Sequence, residues 1–153
     1  METTIVTRET FTVLGVQARI DPKNADYGMI WNQQFMPHHE FIKSLAVEEG
    51  YYGVYFATGE PGMTDMLACM RVGELPSQLP EGLVAREIPA AQYVVATCGM
   101  NAIGATWQYL YEEWVPNSTE YTVDPTKADF EYFPPNCETG VAPVTIYVPV
   151  RKK

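Results

Sequence analysis

The stretch "IGATWQYLYEEWV", residues 103–115, predicts how the second half of the chain is organised. Its apolar residues recur at intervals of three and four, as on one face of a helix. These residues are Ile103, Trp107, Leu110, Tyr111 and Trp114. Pro116 follows directly and should end the helix, because proline lacks a backbone donor.

The segments on either side of this helix are typical of strands. "LVAREIPAAQYVVATCGM", residues 83–100, is an extended segment that is interrupted near Pro89. "DFEYF", residues 129–133, and "VTIYVPV", residues 144–150, follow the helix as two further strands. The second half is therefore predicted to run strand, helix, strand, strand.

The first half repeats this order. "FTVLGVQARI", residues 11–20, predicts a strand, and residues 25–45 predict a helix that Pro37 should break or kink. "YYGVYFAT" and "MLACMRVG" then predict a hairpin. We expect one α+β domain over residues 1–153, made of two β-α-β-β half-repeats at about 1–75 and 82–153. The two half-repeats would be related by pseudo-twofold symmetry, with both helices on one face of an antiparallel sheet. The terminal "RKK" would be a solvated tail.

The charge balance is acidic, with 10 lysines and arginines against 19 aspartates and glutamates, a net charge of −9. Such a surface repels phosphate backbones and anionic lipid, and it concentrates cations nearby. Nucleic acid is therefore not expected as a direct partner. No stretch approaches 18 consecutive apolar residues, so no membrane span is expected either.

The N-terminus has early acids and no long apolar run, unlike a secretory signal. Cys69, Cys98 and Cys137 are odd in number, far apart in sequence and not arranged as CxxC. This pattern fits small buried thiols in a reducing compartment better than a disulfide framework or a zinc site. We therefore expect a cytoplasmic protein.

Glu131 lies between Phe130 and Tyr132 in the strand "DFEYF". Side chains alternate along a strand, so Glu131 shares a face with Phe133, whereas Phe130 and Tyr132 share the other. If the strand is an exposed edge, Glu131 points into water. If helices cover that face, desolvation should raise the pKa of Glu131, and a ligand cation among aromatic rings would relieve the cost. Both interpretations remain open from the residues alone.

Other polar groups give weaker signals. His38, His39 and Glu40 are adjacent rather than spaced as metal ligands, so a solvated helix turn is the better interpretation. Glycines 50, 53, 59 and 62 form no phosphate-binding loop, and no serine or cysteine has a triad context. Glu112 and Glu113 are expected on a solvated helix surface. Neither a metal, a cofactor nor a catalytic residue is predicted.

Four segments together resemble the GyrI-like small-molecule-binding domain, also called the AraC-type effector-binding domain; they are "PEGLVAREIPAAQYVVATCGM", "TWQYLYEEWVPNS", "DFEYFPP" and "VTIYVPV". The resemblance implies a duplicated β-α-β-β fold with a groove between the two helices. It also implies that Glu131 meets the positive charge of a ligand at the base of an aromatic pocket. Family members are often fused to a DNA-binding helix-turn-helix, for which this chain has no room, so it resembles the stand-alone members carried on integron gene cassettes.

The same resemblance implies further ligand-binding residues besides Glu131: Trp107, Tyr147, Phe133, Trp31, Tyr27, Phe56 and Tyr93. The function it implies is capture of amphipathic, drug-like organic cations. Two alternatives follow from other family members: hydrolysis of reactive cyclopropane-type genotoxins, with Glu113 as the nearest second acid, and inhibition of a protein such as DNA gyrase. A separate DNA-binding regulator is a possible protein partner.

Overall fold

The computed structural model describes residues 1–137, 140 and 142–153. The chain forms two compact units, which we name by their residues. The terminal unit contains Met1–Thr10 and Pro89–Lys153, and the central unit contains Phe11–Ile88. These boundaries differ from the chain halves 1–75 and 82–153.

The strands in the described part of the chain are β1 (Thr4–Arg8), β2 (Phe11–Ile20), β3 (Tyr51–Ala57), β4 (Thr64–Val72), β5 (Val84–Ile88), β6 (Ala91–Cys98), β7 (Tyr121–Val123), β8 (Asp129–Phe133) and β9 (Val144–Lys152). The central unit has the order β3-β4-β2-β5, and the terminal unit has the order β1-β6-β9-β8, with β7 also on β9. Every pairing within the two units is antiparallel. With one helical segment in each unit, this confirms the predicted α+β class.

Each unit includes a strand that comes from the other half of the chain. β1 precedes β2 in sequence but pairs with β6, whereas β5 precedes β6 but pairs with β2. Apart from the short strand β7, the element order β-β-helix-β-β therefore repeats along the chain, while the compact units exchange the leading strands of the two halves. This exchange is why the units and the chain halves have different boundaries.

The helical segment of the central unit runs through residues 27–45 without a break. It consists of α1 (Tyr27–Met29), a π-helical segment (Ile30–Phe35), a 3₁₀ turn (Met36–His38) and α2 (His39–Leu45). Asp26 caps its start by accepting a hydrogen bond from the Met29 backbone at 3.0 Å. Pro37 was expected to break or kink this helix. Instead, the hydrogen-bonding pattern changes around it, because proline cannot donate and its ring opposes the usual α-helical carbonyl.

The helical segment of the terminal unit is similar. It consists of a 3₁₀ turn (Met100–Ala102), α3 (Ile103–Tyr109), a π-helical segment (Leu110–Trp114) and α4 (Val115–Asn117). The helix was predicted to end at Pro116, but Pro116 lies inside the last turn, and the chain becomes extended at Ser118. The hydrogen-bonding pattern changes from π-helical to α-helical directly before Pro116, which cannot donate a backbone hydrogen bond.

In each unit the helical segment packs on one face of the strands. In the central unit, Ile30, Phe35 and Ile42 pack against alternate residues of β2 and β4 such as Leu14 and Met66. In the terminal unit, α3 packs on β6 and β9. Leu110 belongs to a second buried apolar cluster, whose strand residues are Val94, Ala96, Val144, Ile146, Val148 and Val150. The period-two pattern of the strands thus selects the face that each helix covers.

Two strands and one terminus differ from the sequence-based expectation. β1 and β7 were not predicted, because each is short and stabilised by pairing with a longer strand. Arg151 and Lys152 are exposed, as expected, but they belong to β9 and pair with β7 rather than forming a tail. No helix in the described ranges is long and apolar enough to cross a membrane.

Candidate functional site

The candidate site lies on the face of β8 that the helical segment of the terminal unit covers. Glu131 is only 5% exposed, so it does not point into water as an edge residue would. Phe133 packs on the same side against the apolar cluster around Leu110. Phe130 lies on the opposite side and contacts Tyr147. The alternation predicted for "DFEYF" is therefore correct.

Glu131 is held by the indole of Trp107. The Trp107 Nε1–H donates a hydrogen bond to Glu131 Oε2 at 3.0 Å. Trp107 belongs to α3 and is half-buried on the face that packs against the sheet. A carboxylate that accepts a hydrogen bond in a buried setting is oriented by that bond. A neutral indole donor, however, does not neutralise the carboxylate charge.

A second acid, Asp129, is held in the same way. The Tyr111 hydroxyl donates a hydrogen bond to Asp129 Oδ2. Tyr111 follows Trp107 by one helical turn, and the two rings stack with centroids 6.2 Å apart and planes at 18°. Residues four apart on a helix and residues two apart on a strand are each separated by roughly 6 Å along their axes. Trp107 and Tyr111, which are four residues apart on the helix, therefore have the spacing needed to reach Glu131 and Asp129, which are two residues apart on one face of β8.

The environment of Asp129 changes its protonation behaviour. Burial raises the pKa of Asp129 to about 6, although the Tyr111 hydrogen bond acts in the opposite direction. Tyr111 is 37% exposed, but partial removal of its hydroxyl from water, together with the charge of Asp129 and the hydrogen bond to it, raises the pKa of Tyr111. Sequence reasoning missed Asp129, although the same alternation that linked Glu131 to Phe133 also placed Asp129 on their face.

Two of the predicted ligand-binding residues lie on the opposite face of the terminal unit's sheet. The Tyr147 ring stacks on Phe130 with centroids 4.5 Å apart, and Tyr93 meets Phe130 edge to face at 5.1 Å. The guanidinium of Arg8 lies 5.5 Å from the Phe130 ring and 5.4 Å from the Tyr147 ring. Tyr147 and Tyr93 therefore form an aromatic cluster of their own, separated by the strands from Trp107 and Glu131.

Tyr93 is fully buried, and its hydroxyl has no hydrogen-bond partner within the described ranges. Burial raises the pKa of Tyr93 to about 12. A buried hydroxyl that makes no hydrogen bond costs about 1–3 kcal/mol. The phenol of Tyr93 thus stays neutral and unsatisfied in the interior.

The remaining predicted ligand-binding residues belong to the central unit. Trp31 packs at 5.2 Å from Phe35 and 6.2 Å from Tyr51, and Tyr27 contacts the same apolar cluster. Phe56 is not part of that cluster, and the Arg86 guanidinium lies 3.6 Å from its ring. Trp31 and Tyr27 therefore pack against the same apolar cluster, whereas Phe56 has a separate cation–π contact.

The two histidines are packed rather than solvated, which corrects the sequence-based interpretation. The His39 Nε2 atom lies 2.8 Å from the Tyr51 hydroxyl, and its ring contacts Phe35. The ring of His38 packs against Gly82 in the loop before β5. Both side chains thus support the packing of the central unit.

Glu112 and Glu113 are exposed, as predicted. Glu112 accepts a hydrogen bond from Gln108 at 3.0 Å. Glu113 borders a surface cavity of about 500 Å³ whose lining residues are Tyr109, Glu113, Trp114, Asn117, Ser118 and Thr119. The second acid beside Glu131 is therefore Asp129 and not Glu113.

Comparison with known families gives one match that covers nearly the whole chain. The family Cass2, described as integron-associated effector binding protein, matches residues 4–150. No curated protein is significantly similar to the chain in sequence.

Several solved structures share the fold at low sequence identity. The structure of SAV2435 bound to tetraphenylphosphonium has a TM-score of 0.81 and 12% identity, covering 99% of this chain and 94% of that one. An integron cassette protein from the mobile metagenome of Vibrio cholerae has a TM-score of 0.66 and 22% identity, covering 97% and 95%. EcmrR in a complex with DNA has a TM-score of 0.69 and 14% identity, and the match covers 99% of this chain but 58% of EcmrR. At these identities the similarity shows the fold.

Proposed function

This chain belongs to the family of integron-associated effector-binding proteins, and from that premise we propose that it captures amphipathic organic cations at an aromatic site centred on Glu131. Membership of this family agrees with the resemblance to GyrI-like effector-binding domains. The observation that carries the proposal is a carboxylate that is 5% exposed and hydrogen-bonded to the indole of Trp107.

The electrostatics of the site support a cationic ligand. Glu131 and Asp129 place two carboxyl groups on one strand face, and Trp107 and Tyr111 orient them with neutral donors. Away from bulk water, a negative charge attracts a cation more strongly than it does at the surface. The net charge of −9 adds a long-range attraction for the same class of ligand.

The aromatic rings support an amphipathic ligand rather than a small hydrated ion. Trp107 and Tyr111 stack into a two-ring surface beside the carboxylates, and Phe133 adds a third ring on the same face. Each well-placed ring contributes about 0.5–2 kcal/mol to holding an organic cation. The structure of SAV2435, which shares the fold, is bound to tetraphenylphosphonium, a cation whose phosphorus carries phenyl groups. We infer a role in binding rather than in catalysis, and the sequence features given above favour the cytoplasm as its compartment.

Calorimetric titration with tetraphenylphosphonium tests the proposal. Glu131→Gln keeps the size of the side chain and an oxygen acceptor for Trp107 but removes the charge. We expect this substitution to weaken the affinity by about tenfold or more, which corresponds to about 1.4 kcal/mol. The exposed Glu120 offers a matched control, because Glu120→Gln changes the net charge equally and should leave the affinity within about twofold.

A neutral ligand of similar shape, triphenylphosphine oxide, separates charge from packing. Its affinity should not fall in Glu131→Gln, because it presents no positive charge to the carboxylate. Equal tetraphenylphosphonium affinities for the wild type and Glu131→Gln would remove Glu131 from the proposal. Absence of tetraphenylphosphonium binding by the wild type would count against capture of this cation class.

Hydrolysis of a reactive electrophile is a second candidate, favoured by Asp129. An acid with a pKa of about 6 beside a second carboxyl group is suited to general acid and base catalysis near neutral pH. Incubation with a cyclopropane-type alkylating compound distinguishes the two functions. Product that forms with the wild type and disappears with Glu131→Gln would support hydrolysis, whereas unchanged compound would leave binding as the function.

A further inference from the structure

The Tyr111–Asp129 pair lies beside the Trp107–Glu131 pair, and the two are connected by ring stacking. The Tyr111 ring stacks nearly parallel to the Trp107 ring, with centroids 6.2 Å apart and planes at 18°, and its hydroxyl donates a hydrogen bond to Asp129. A hydrogen bond at the hydroxyl restricts how the ring tilts. Asp129 is thus linked through Tyr111 to the Trp107 ring, whose indole N–H meets Glu131.

We propose that Asp129 is a positioning residue that acts through Tyr111 on Trp107 and Glu131, and that it makes the affinity for organic cations fall in mildly acidic solution. This inference rests on the proposed binding function of Glu131. Asp129 would not need to touch the ligand. Its carboxylate holds Tyr111 in place and adds negative charge near the ligand's positive centre.

The charged and titratable groups near Asp129 are few in the part of the chain that the structure describes. The helical segment contributes Tyr111, and β8 itself contributes Glu131 on the same face. On the opposite face of the sheet, β6 contributes Tyr93, whose pKa Asp129 and Asp124 raise and Arg8 lowers, and β9 contributes Tyr147. Burial is the dominant influence on Asp129, and Tyr111 is the side chain that acts on its pKa.

The direction of the pH effect follows from this environment. Because the pKa of Asp129 is raised to about 6, the carboxylate is charged at about pH 7.5 and mostly neutral at about pH 5. A neutral carboxyl is a weaker acceptor for Tyr111 and no longer attracts a cation. Affinity should therefore be highest above about pH 6 and fall as the pH falls through that value.

Two variants separate charge from position. Asp129→Asn removes the charge but keeps an oxygen that accepts from the Tyr111 hydroxyl. Tyr111→Phe keeps the ring that stacks on Trp107 but removes the hydroxyl. Since the Tyr111 hydrogen bond lowers the pKa of Asp129, its loss in Tyr111→Phe should move the Asp129 titration upward from about 6.

The first measurement needs no ligand. The indole N–H resonance of Trp107, assigned with Trp107→Phe, is followed by NMR between about pH 5 and pH 7.5. The wild-type resonance should titrate with a midpoint near 6, the Asp129→Asn resonance should be flat, and Tyr111→Phe should lose at least about half of the amplitude. A flat wild-type resonance, an unchanged titration in Asp129→Asn, or full amplitude in Tyr111→Phe would each overturn the positioning role.

The second measurement is tetraphenylphosphonium affinity over the same pH range. Protonation of Asp129 removes one unit charge two residues from Glu131. The affinity of the wild type should therefore weaken by about threefold between about pH 7.5 and pH 5, and that of Asp129→Asn by less than about 1.5-fold. An equal pH dependence in both proteins would overturn the inference. If the wild type does not bind the cation at all, the proposed function fails, while the NMR titration still decides the role of Asp129.

Discussion

Gly15→Ala should destabilise the central unit by at least about 3 kcal/mol, a large fraction of the stability of an ordinary domain. Gly15 is in the middle of β2, where it pairs with Cys69 of β4 on one side and with Val84 of β5 on the other. A Cβ atom on Gly15 would lie 1.9 Å from the carbonyl oxygen of Ala68 and 2.7 Å from the Cys69 Cα. Both are backbone atoms, so the clash can be relieved only by moving the β2–β4 pairing itself.

Urea unfolding followed by circular dichroism measures this loss. Gly104→Ala is the matched control, because Gly104 lies in α3 and an added Cβ there meets nothing within 4 Å. That substitution should stabilise the protein by about 0.5–1 kcal/mol, since alanine is the better helix former. A Gly15→Ala variant as stable as the wild type would show that β2 and β4 can separate at little cost.

Asp129→Asn should stabilise the protein at neutral pH. The folded-state pKa of Asp129 is raised from 3.8 to about 6, so the folded state binds its proton more tightly than the unfolded state does. Above about pH 6 the charged carboxylate therefore reduces the free energy of unfolding. A shift of about two units corresponds to about 3 kcal/mol, which partial contact with water reduces to about 1–2 kcal/mol.

The gain from Asp129→Asn should depend on pH in a defined direction. It should be full at about pH 7.5 and shrink as the pH falls below about 6, because the wild-type carboxyl is then protonated and no longer penalised. Thermal and urea unfolding at about pH 7.5 and pH 5 measure the difference.

Asp124→Asn is the control of opposite sign. Hydrogen bonds from Thr126 lower the pKa of Asp124, so removing its charge should destabilise the protein at about pH 7.5. A destabilised Asp129→Asn at that pH would contradict the raised pKa. If the expected gain is found, Asp129 is an acid that is unfavourable for folding, as residues kept for function often are.

Much of the local structure was predictable, because it depends on neighbours in sequence. The helical face of Trp107, Leu110 and Trp114 and the alternation of Phe130 and Glu131 follow from the periods of a helix and a strand. The same rule also places Asp129 on the Glu131 face. Asp129 is the first residue of its strand, and its partner Tyr111 is 18 residues away in the chain, so the pattern of the strand alone does not indicate that it is bound.

The positions of Tyr147 and Tyr93 were not predictable. Each belongs to a correctly predicted strand, but its face relative to Glu131 depends on the register with which β9 pairs with β8 and β6. A shift of one residue in that register would move Tyr147 to the other face. The exchange of β1 and β5 between the two units depends in the same way on pairing between distant residues.

The sequence by itself determined the α+β class, the two helical segments, the resemblance to effector-binding domains and the choice of Glu131, since periodicity and motif residues are local properties of a chain. Only the tertiary structure decided that Glu131 is buried against Trp107, that Asp129 is bound by Tyr111, and that Gly15 admits no side chain. The physical reason is that burial, hydrogen bonding and close backbone approach require atoms far apart in sequence to meet, and strand register controls which of them do.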